Sequence, residues 1–195
     1  MAYLLSQLLR RNAQRTPEQI AVVHEQHSYT YHELDIASNR FAHQLRASGV
    51  IRGDRVGLYL EKSREAVAAL FGILKVGAAY VPLDPAAPAQ RIGYIIANCQ
   101  MKALVSTRAK ATGNPKGVMI SHRAALTFVD WASETFGVQA TDRVSNHAPF
   151  HFDLSTFDLF ATIKAGGPVV LVPPALSVFQ LNLAKFIAEQ RITIH

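Results

Sequence analysis

Leu5, Leu8 and Leu9 recur at helical spacing near the start of the chain, and Thr16-Pro17 closes the helix they predict. Ile20-Ala21-Val22-Val23 and Ser28-Tyr29-Thr30 then read as two short strands around the polar turn Glu25-Gln26-His27. Thr30 and Glu33 form a capping-box pair: the hydroxyl takes the third amide of the next helix and the carboxylate reaches back. That helix places Leu34, Ala37, Phe41 and Leu45 on one face and stops at Gly49. A strand over 55–60 follows, and Ser63 then caps a helix with Val67, Leu70, Phe71 and Leu74 at i, i+3, i+4, i+7, ending at Gly77. The run 79–83 is a further buried strand. Pro88 opens a helix with Ile92, Ile95, Ile96 and Cys99 on one side, and 102–106 returns to strand.

Alternating strands and helices with short connections predict an α/β fold, layered α/β/α around a mainly parallel sheet, with residues 1–195 as a single partial domain. The rhythm breaks after Thr107, where only Arg108-Ala109-Lys110-Ala111 stands in place of a crossover. It recovers with a strand over 118–120, a helix over 122–136 capped by Ser121, and a strand near 143–147. A helix over 153–164, a strand over 169–172 and a helix over 181–189 follow, and 191–195 reads as the opening of a strand. One sheet, continuous on both sides of Lys110–Ala111, is the expectation.

Composition narrows the class. Of the 195 residues 49% are apolar and 17% charged, the balance of an ordered globular chain. The net charge of +6 favours anionic ligands, but the basic residues are scattered along the sequence and only Arg10-Arg11 adjoin. That spread argues against a nucleic-acid partner. The single cysteine, Cys99, leaves no internal disulfide and fits a reducing compartment, so a cytoplasmic location is expected. The longest apolar stretch, 66–81, is interrupted by Lys75 and two glycines and is too short to span a bilayer.

The segment with the most chemistry is Thr112-Gly113-Asn114-Pro115-Lys116-Gly117, followed by Val118-Met119-Ile120 and Ser121-His122. Glycines allow backbone amides to approach an anion, and a lysine supplies the point charge that phosphate needs. The spacing is not that of a Walker loop, and by itself such a segment is more often an ordinary turn than a phosphate loop. Asp153 opens a helix, where a carboxylate favours the macrodipole, and Phe152 before it reads as core. Asp158 is off the face of Asp153, so no paired-carboxylate acid–base site is expected. His122, His147 and His151 have no zinc-site spacing, and no metal site is expected among them. Ser121 and His122, adjacent on a helix, do not face each other as a hydrolase pair would.

Four segments in order resemble the adenylate-forming (AMP-binding) superfamily. Tyr29-Thr30-Tyr31-His32-Glu33-Leu34 is similar to its first core motif. Leu74-Lys75-Val76-Gly77-Ala78-Ala79-Tyr80-Val81-Pro82-Leu83-Asp84-Pro85 resembles the second almost residue for residue. TGNPKG matches the second half of the phosphate loop, and Phe152-Asp153-Leu154-Ser155 the FDxS motif. The nearest branch looks like the amino-acid adenylation domains of nonribosomal peptide synthetases and stand-alone aminoacyl-AMP ligases. The resemblance implies an ATP-dependent ligase that joins an amino or carboxylic acid to AMP and passes it to a phosphopantetheine thiol on a carrier protein, with Mg²⁺ as cofactor. It assigns Lys116 to catalysis, Thr112, Gly113, Lys116 and Gly117 to the ATP phosphates, Asp153 to the substrate ammonium and Phe152 to the wall beside it.

The chain departs from that pattern. Ala109-Lys110-Ala111 stands where the loop's Tyr-Thr-Ser-Gly lead-in belongs, and no later motif of the family follows FDxS. The chain therefore looks like an internally deleted, C-terminally truncated adenylation domain with a junction at 110–111. It is expected to be inactive alone, with stability on the order of a few kcal/mol or less. The competing expectation is a non-catalytic α/β remnant or interaction module with at most weak nucleotide binding.

Overall fold

The computed structural model describes residues 3–106, 120–177 and 180–195. They divide into two compact units: Met1–Asp35 with Ser121–His195, and Ile36–Ile120. The helices are α1 (Leu5–Arg15), α2 (Tyr31–Ala47), α3 (Arg64–Val76), α4 (Ala89–Asn98) and α5 (His122–Thr135). Further on, α6 (Leu154–Thr156) runs through a π-helical turn, Phe157–Ala161, into α7 (Thr162–Ala165), and α8 spans Gln180–Glu189. The strands are β1 (Ile20–His24), β2 (His27–Thr30), β3 (Arg55–Tyr59), β4 (Ala79–Pro82), β5 (Ala103–Ser106), β6 (Val144–Asn146) and β7 (Val169–Leu171). The strand expected over 118–120 falls mostly on residues outside those described.

The second unit is built on a three-stranded sheet, order β4-β3-β5, parallel throughout. Period-two alternation sets its two faces. Tyr59 packs with Leu83 and Ile92, joined by Ile95, Ile96 and Leu104, so α4 covers that side. Val56 and Leu58 alternate to the other face, and α3 packs on β3 and β4. Ten residues of α3 are buried. A helix apolar on nearly all sides must be covered on more than one of them. The Ser63 hydroxyl accepts the Ala66 amide at 3.1 Å, and Gly77, at φ 83°, closes α3 in the left-handed conformation that other residues resist.

Gly72 permits the approach of α2 to α3. A Cβ there would lie 2.5 Å from the Cβ of Phe41 and 2.9 Å from the Ser38 carbonyl oxygen, both firmly placed. Gly72→Ala is expected to destabilise the protein by about 1–3 kcal/mol despite alanine's better helix propensity. A urea midpoint that falls relative to wild type is the predicted result, and an unchanged or raised one would show that the two helices separate freely.

The first unit holds a four-stranded sheet, order β2-β1-β7-β6. The β1–β2 hairpin is antiparallel, while β1–β7 and β7–β6 are parallel. Ile194 adds a parallel bridge to Val144, in keeping with the strand opening expected over 191–195. The Thr30–Glu33 capping box is present: the Glu33 amide donates to the Thr30 hydroxyl at 3.1 Å, and the Glu33 carboxylate accepts from the Thr30 amide at 2.8 Å. Tyr31, wholly buried, donates its hydroxyl to the Gly167 carbonyl at 2.8 Å, and burial raises its pKa well above the usual phenol value. Asn12 of α1 is buried too, and its amide donates to the Ile163 carbonyl of α7.

The parallel α/β character expected from the sequence is present, but a single continuous sheet is not. Among the described residues the strands form two separate sheets. After residue 120 the chain returns strands β6 and β7 to β1 rather than to β5. Apolar periodicity fixes which face of a strand is buried and carries no information about its partner, which is why the expectation failed.

Candidate functional site

The first unit positions Phe152 and Asp153. The wholly buried strand β6 leads through 147–150 to Phe150, an almost covered side chain that anchors the turn. The Ser155 hydroxyl donates to the Phe152 carbonyl at 2.7 Å and to the Phe150 carbonyl at 3.4 Å, tying the turn to α6. Asp153 caps α6, its Oδ1 accepting the Leu154 amide at 2.9 Å. Asp153 is exposed. Phe152 is not core either: it is 53% exposed, with its ring 4.9 Å from that of His151. The two residues therefore present an aromatic surface beside a carboxylate in which only Oδ1 takes up the helix amide. That pairing suits an ammonium group attached to a carbon skeleton.

Behind this turn are groups that sequence reasoning missed. Asn146, at the end of β6, donates its amide to Asp158 Oδ2 at 3.0 Å. The π turn Phe157–Ala161 replaces part of the single regular helix expected over 153–164 and sends Leu159, Phe160 and Ala161 into the core. Insertion of a residue into a helix in this way often marks a functional site. Phe157 meets Phe136 edge-on at 5.3 Å. The ring of His195 stands 5.6 Å from that of His147, and its Nδ1 is 2.8 Å from the Ser145 hydroxyl. Ser145 and Asn146, polar residues buried on β6 shortly before FDLS, were the available signal; nothing in the sequence announced the π turn.

The phosphate-loop residues Thr112, Gly113, Lys116 and Gly117 lie outside the described residues. The segment that follows them is anchored. Ser121 caps α5 by accepting the Ala124 amide at 3.2 Å, and His122 Nδ1 accepts the Leu5 amide of α1 at 3.3 Å. Burial lowers the His122 pKa, since the cation would lose solvation and could not accept that bond at Nδ1. A histidine with a lowered folded pKa contributes stability that is present above its ordinary value of 6.5 and lost as pH falls through the lowered one. The urea midpoint of the wild type is thus expected to fall more between about pH 7.5 and about pH 5.5 than that of His122→Gln. Equal falls would show that the α1–α5 tether does not titrate.

Comparison with known proteins decides the family. The model described as AMP-binding enzyme matches residues 9–111 and 111–195, nearly the whole chain. The chain belongs to the AMP-binding enzyme family. Within it, tyrocidine synthase 3 of Brevibacillus parabrevis is 30% identical across 98% of this chain, which corresponds to 4% of that protein. An L-proline–(L-prolyl-carrier protein) ligase of Pseudomonas fluorescens is 31% identical across 98% of this chain. The chain spans 49%, about half, of that ligase. Among solved structures, the nonribosomal peptide synthetase FmoA3 in its AMPPNP-bound form superposes with a TM-score of 0.88 at 28% identity, covering 98% of this chain and 25% of that one. The N-terminal subdomain of Klebsiella oxytoca NpsA, at 21% identity and a TM-score of 0.84, shares the fold over 97% of this chain and 58% of its own.

ATP is the nucleotide that the AMP-binding enzyme family implies. Among the described residues no group of three or more His, Cys, Asp or Glu side chains could hold a metal ion.

Proposed function

We propose that this chain is the N-terminal part of an amino-acid adenylation domain, and that its 195 residues alone form no aminoacyl-adenylate. The observation that carries this reading is the family match, which spans the chain in two segments meeting at residue 111. The alignment with tyrocidine synthase 3 runs over 235 positions, more than the 195 residues available here. Residues of the relatives thus lack counterparts in this chain. Both facts support a junction at Lys110–Ala111 inside one partial domain, with the lead-in half of the phosphate loop missing.

In the reaction of a whole adenylation domain, the substrate carboxylate attacks the α-phosphate of ATP and pyrophosphate leaves. Lys116, Thr112 and the amides of Gly113 and Gly117 neutralise and orient the phosphates. Asp153 takes the ammonium of the amino acid, and Phe152 lies along its side chain. A phosphopantetheine thiol on a carrier protein receives the acyl group, a role supported by the carrier-protein ligase among the relatives. Catalysis of this kind is mainly positioning and charge neutralisation, so losing part of the cradle weakens binding and stops chemistry. No helix among the described residues is long and apolar enough to cross a membrane.

Calorimetric titration with ATP tests the half loop. Binding with a Kd on the order of 1 mM is expected. Lys116→Ala should weaken it roughly tenfold, the equivalent of one charge-assisted hydrogen bond. Undiminished binding by the variant would remove Lys116 from the site.

A further inference from the structure

The charge of the protein is divided unevenly between its two units. Residues 36–120 hold twelve Lys and Arg against four Asp and Glu, a formal +8. The remainder holds eight against ten, a formal −2. Nine of the twelve cations are among the described residues. On α2, Arg40, His43 and Arg46 follow one another at i, i+3, i+6 and are all exposed, while Ser38, Ala42 and Leu45 are buried. The end of α3 adjoins them. Arg46 Nη2 donates to the Lys75 carbonyl at 3.3 Å, and Lys75 Nζ donates to Asn39 Oδ1 at 2.8 Å. Arg52 lies over Gly77, its Cγ 3.1 Å from where a Cβ would stand. Five basic side chains thus gather around the C-terminal ends of α2 and α3. Asp54, two residues after Arg52, is half-buried and accepts the Ile51 amide at 2.8 Å.

Cations at a helix C-terminus complement its dipole, which accounts for Lys75 and Arg46. It does not account for Arg40 and His43, a turn or more further back on the exposed side of α2. From this geometry we infer that the face formed by α2 and the end of α3 docks an acidic protein surface. A protein suits it better than a nucleic acid because of what borders the charges. Ile36 is 39% exposed and Ile51 68%, so apolar contact is available next to arginine, the composition of a protein interface. Single-stranded nucleic acid is held by exposed aromatic rings. Among the described residues, the large aromatic side chains that are exposed, Tyr3, Phe128, Trp131, Phe136 and Phe152, all belong to the other unit. The inference is independent of adenylate chemistry and stands whether or not the chain binds ATP.

The test is fluorescence anisotropy of a labelled poly-L-glutamate peptide titrated with the full 195-residue chain, beside an oligouridylate of matched charge. The variant Arg40→Glu/Arg46→Glu should bind the peptide at least about tenfold more weakly than wild type. Arg40→Gln/His43→Gln, which keeps the Arg46–Lys75 contact, should lose a smaller but measurable part, with an unchanged circular dichroism spectrum. Arg10→Gln/Arg11→Gln, in the other unit, should bind as wild type does. Binding should weaken steeply with added salt. Equal loss in the Arg10/Arg11 control, no loss in the α2 variants, or tighter binding of the oligouridylate would each overturn the inference. So would self-association of the wild type in sedimentation that the same α2 variants abolish, because the face would then belong to a second copy of this chain.

Discussion

Phe160→Ala is expected to lower the urea midpoint of the first unit sharply. Phe160 has no exposed surface and sits in the π turn, whose residues pack against α5, α6, α7 and β6. Truncating a buried phenylalanine costs about 3–5 kcal/mol, from lost transfer free energy plus the cavity left behind. Native domains are stable by only about 5–15 kcal/mol, so one such change removes much of the margin. The π turn makes repair harder, because its extra residue fixes Leu159 and Ala161 in the core beside Phe160. Phe128→Ala is the control: on α5, with 40% of its surface exposed, it should cost well under half as much. The protein's one tryptophan, Trp131, is on α5, with Phe128 and Phe136 6.1 and 6.3 Å away, so its fluorescence reports this unit. A urea midpoint for Phe160→Ala close to that of Phe128→Ala would contradict the role given to the π turn.

What the sequence made legible was local. The Thr30–Glu33 capping box, the Ser63 and Ser121 caps and the left-handed Gly77 each depend on two or three neighbouring residues, and each is present. Helix and strand order followed from apolar spacing for the same reason. The rest required contacts between distant residues. The pairing of β1 with β7, some 150 positions away, leaves no mark in periodicity, and neither does the separation into two sheets. Charge shows the same limit: Arg40, Arg46, Arg52 and Lys75 are scattered in sequence and gathered in space. At the candidate site the helix-opening place of Asp153 was legible, whereas Phe152, read as core, is exposed, since burial depends on what covers a turn. Asp153 caps α6 from an exposed position, and Phe152 stands out of the core.

The absence of adenylate formation is the second large effect expected. Positioning and electrostatic preorganisation supply most of the acceleration of phosphoryl and nucleotidyl transfer. Each requires that every donor of the cradle be in place at once. This chain has Thr112-Gly113 and Lys116-Gly117 but carries Ala109-Lys110-Ala111 where the lead-in hydroxyls and amides belong. It also spans 49% of the length of the carrier-protein ligase it resembles. Asp153 and Phe152 are both exposed, so nothing near them excludes water.

Amino-acid-dependent exchange of labelled pyrophosphate into ATP tests this most directly, because it reads formation and reversal of the adenylate without needing a carrier protein. With the purified chain, ATP, Mg²⁺ and each amino acid in turn, the account predicts exchange no greater than in a no-protein control. Exchange above that control, abolished by Lys116→Ala, would show that the residues present already complete the site and would contradict the account.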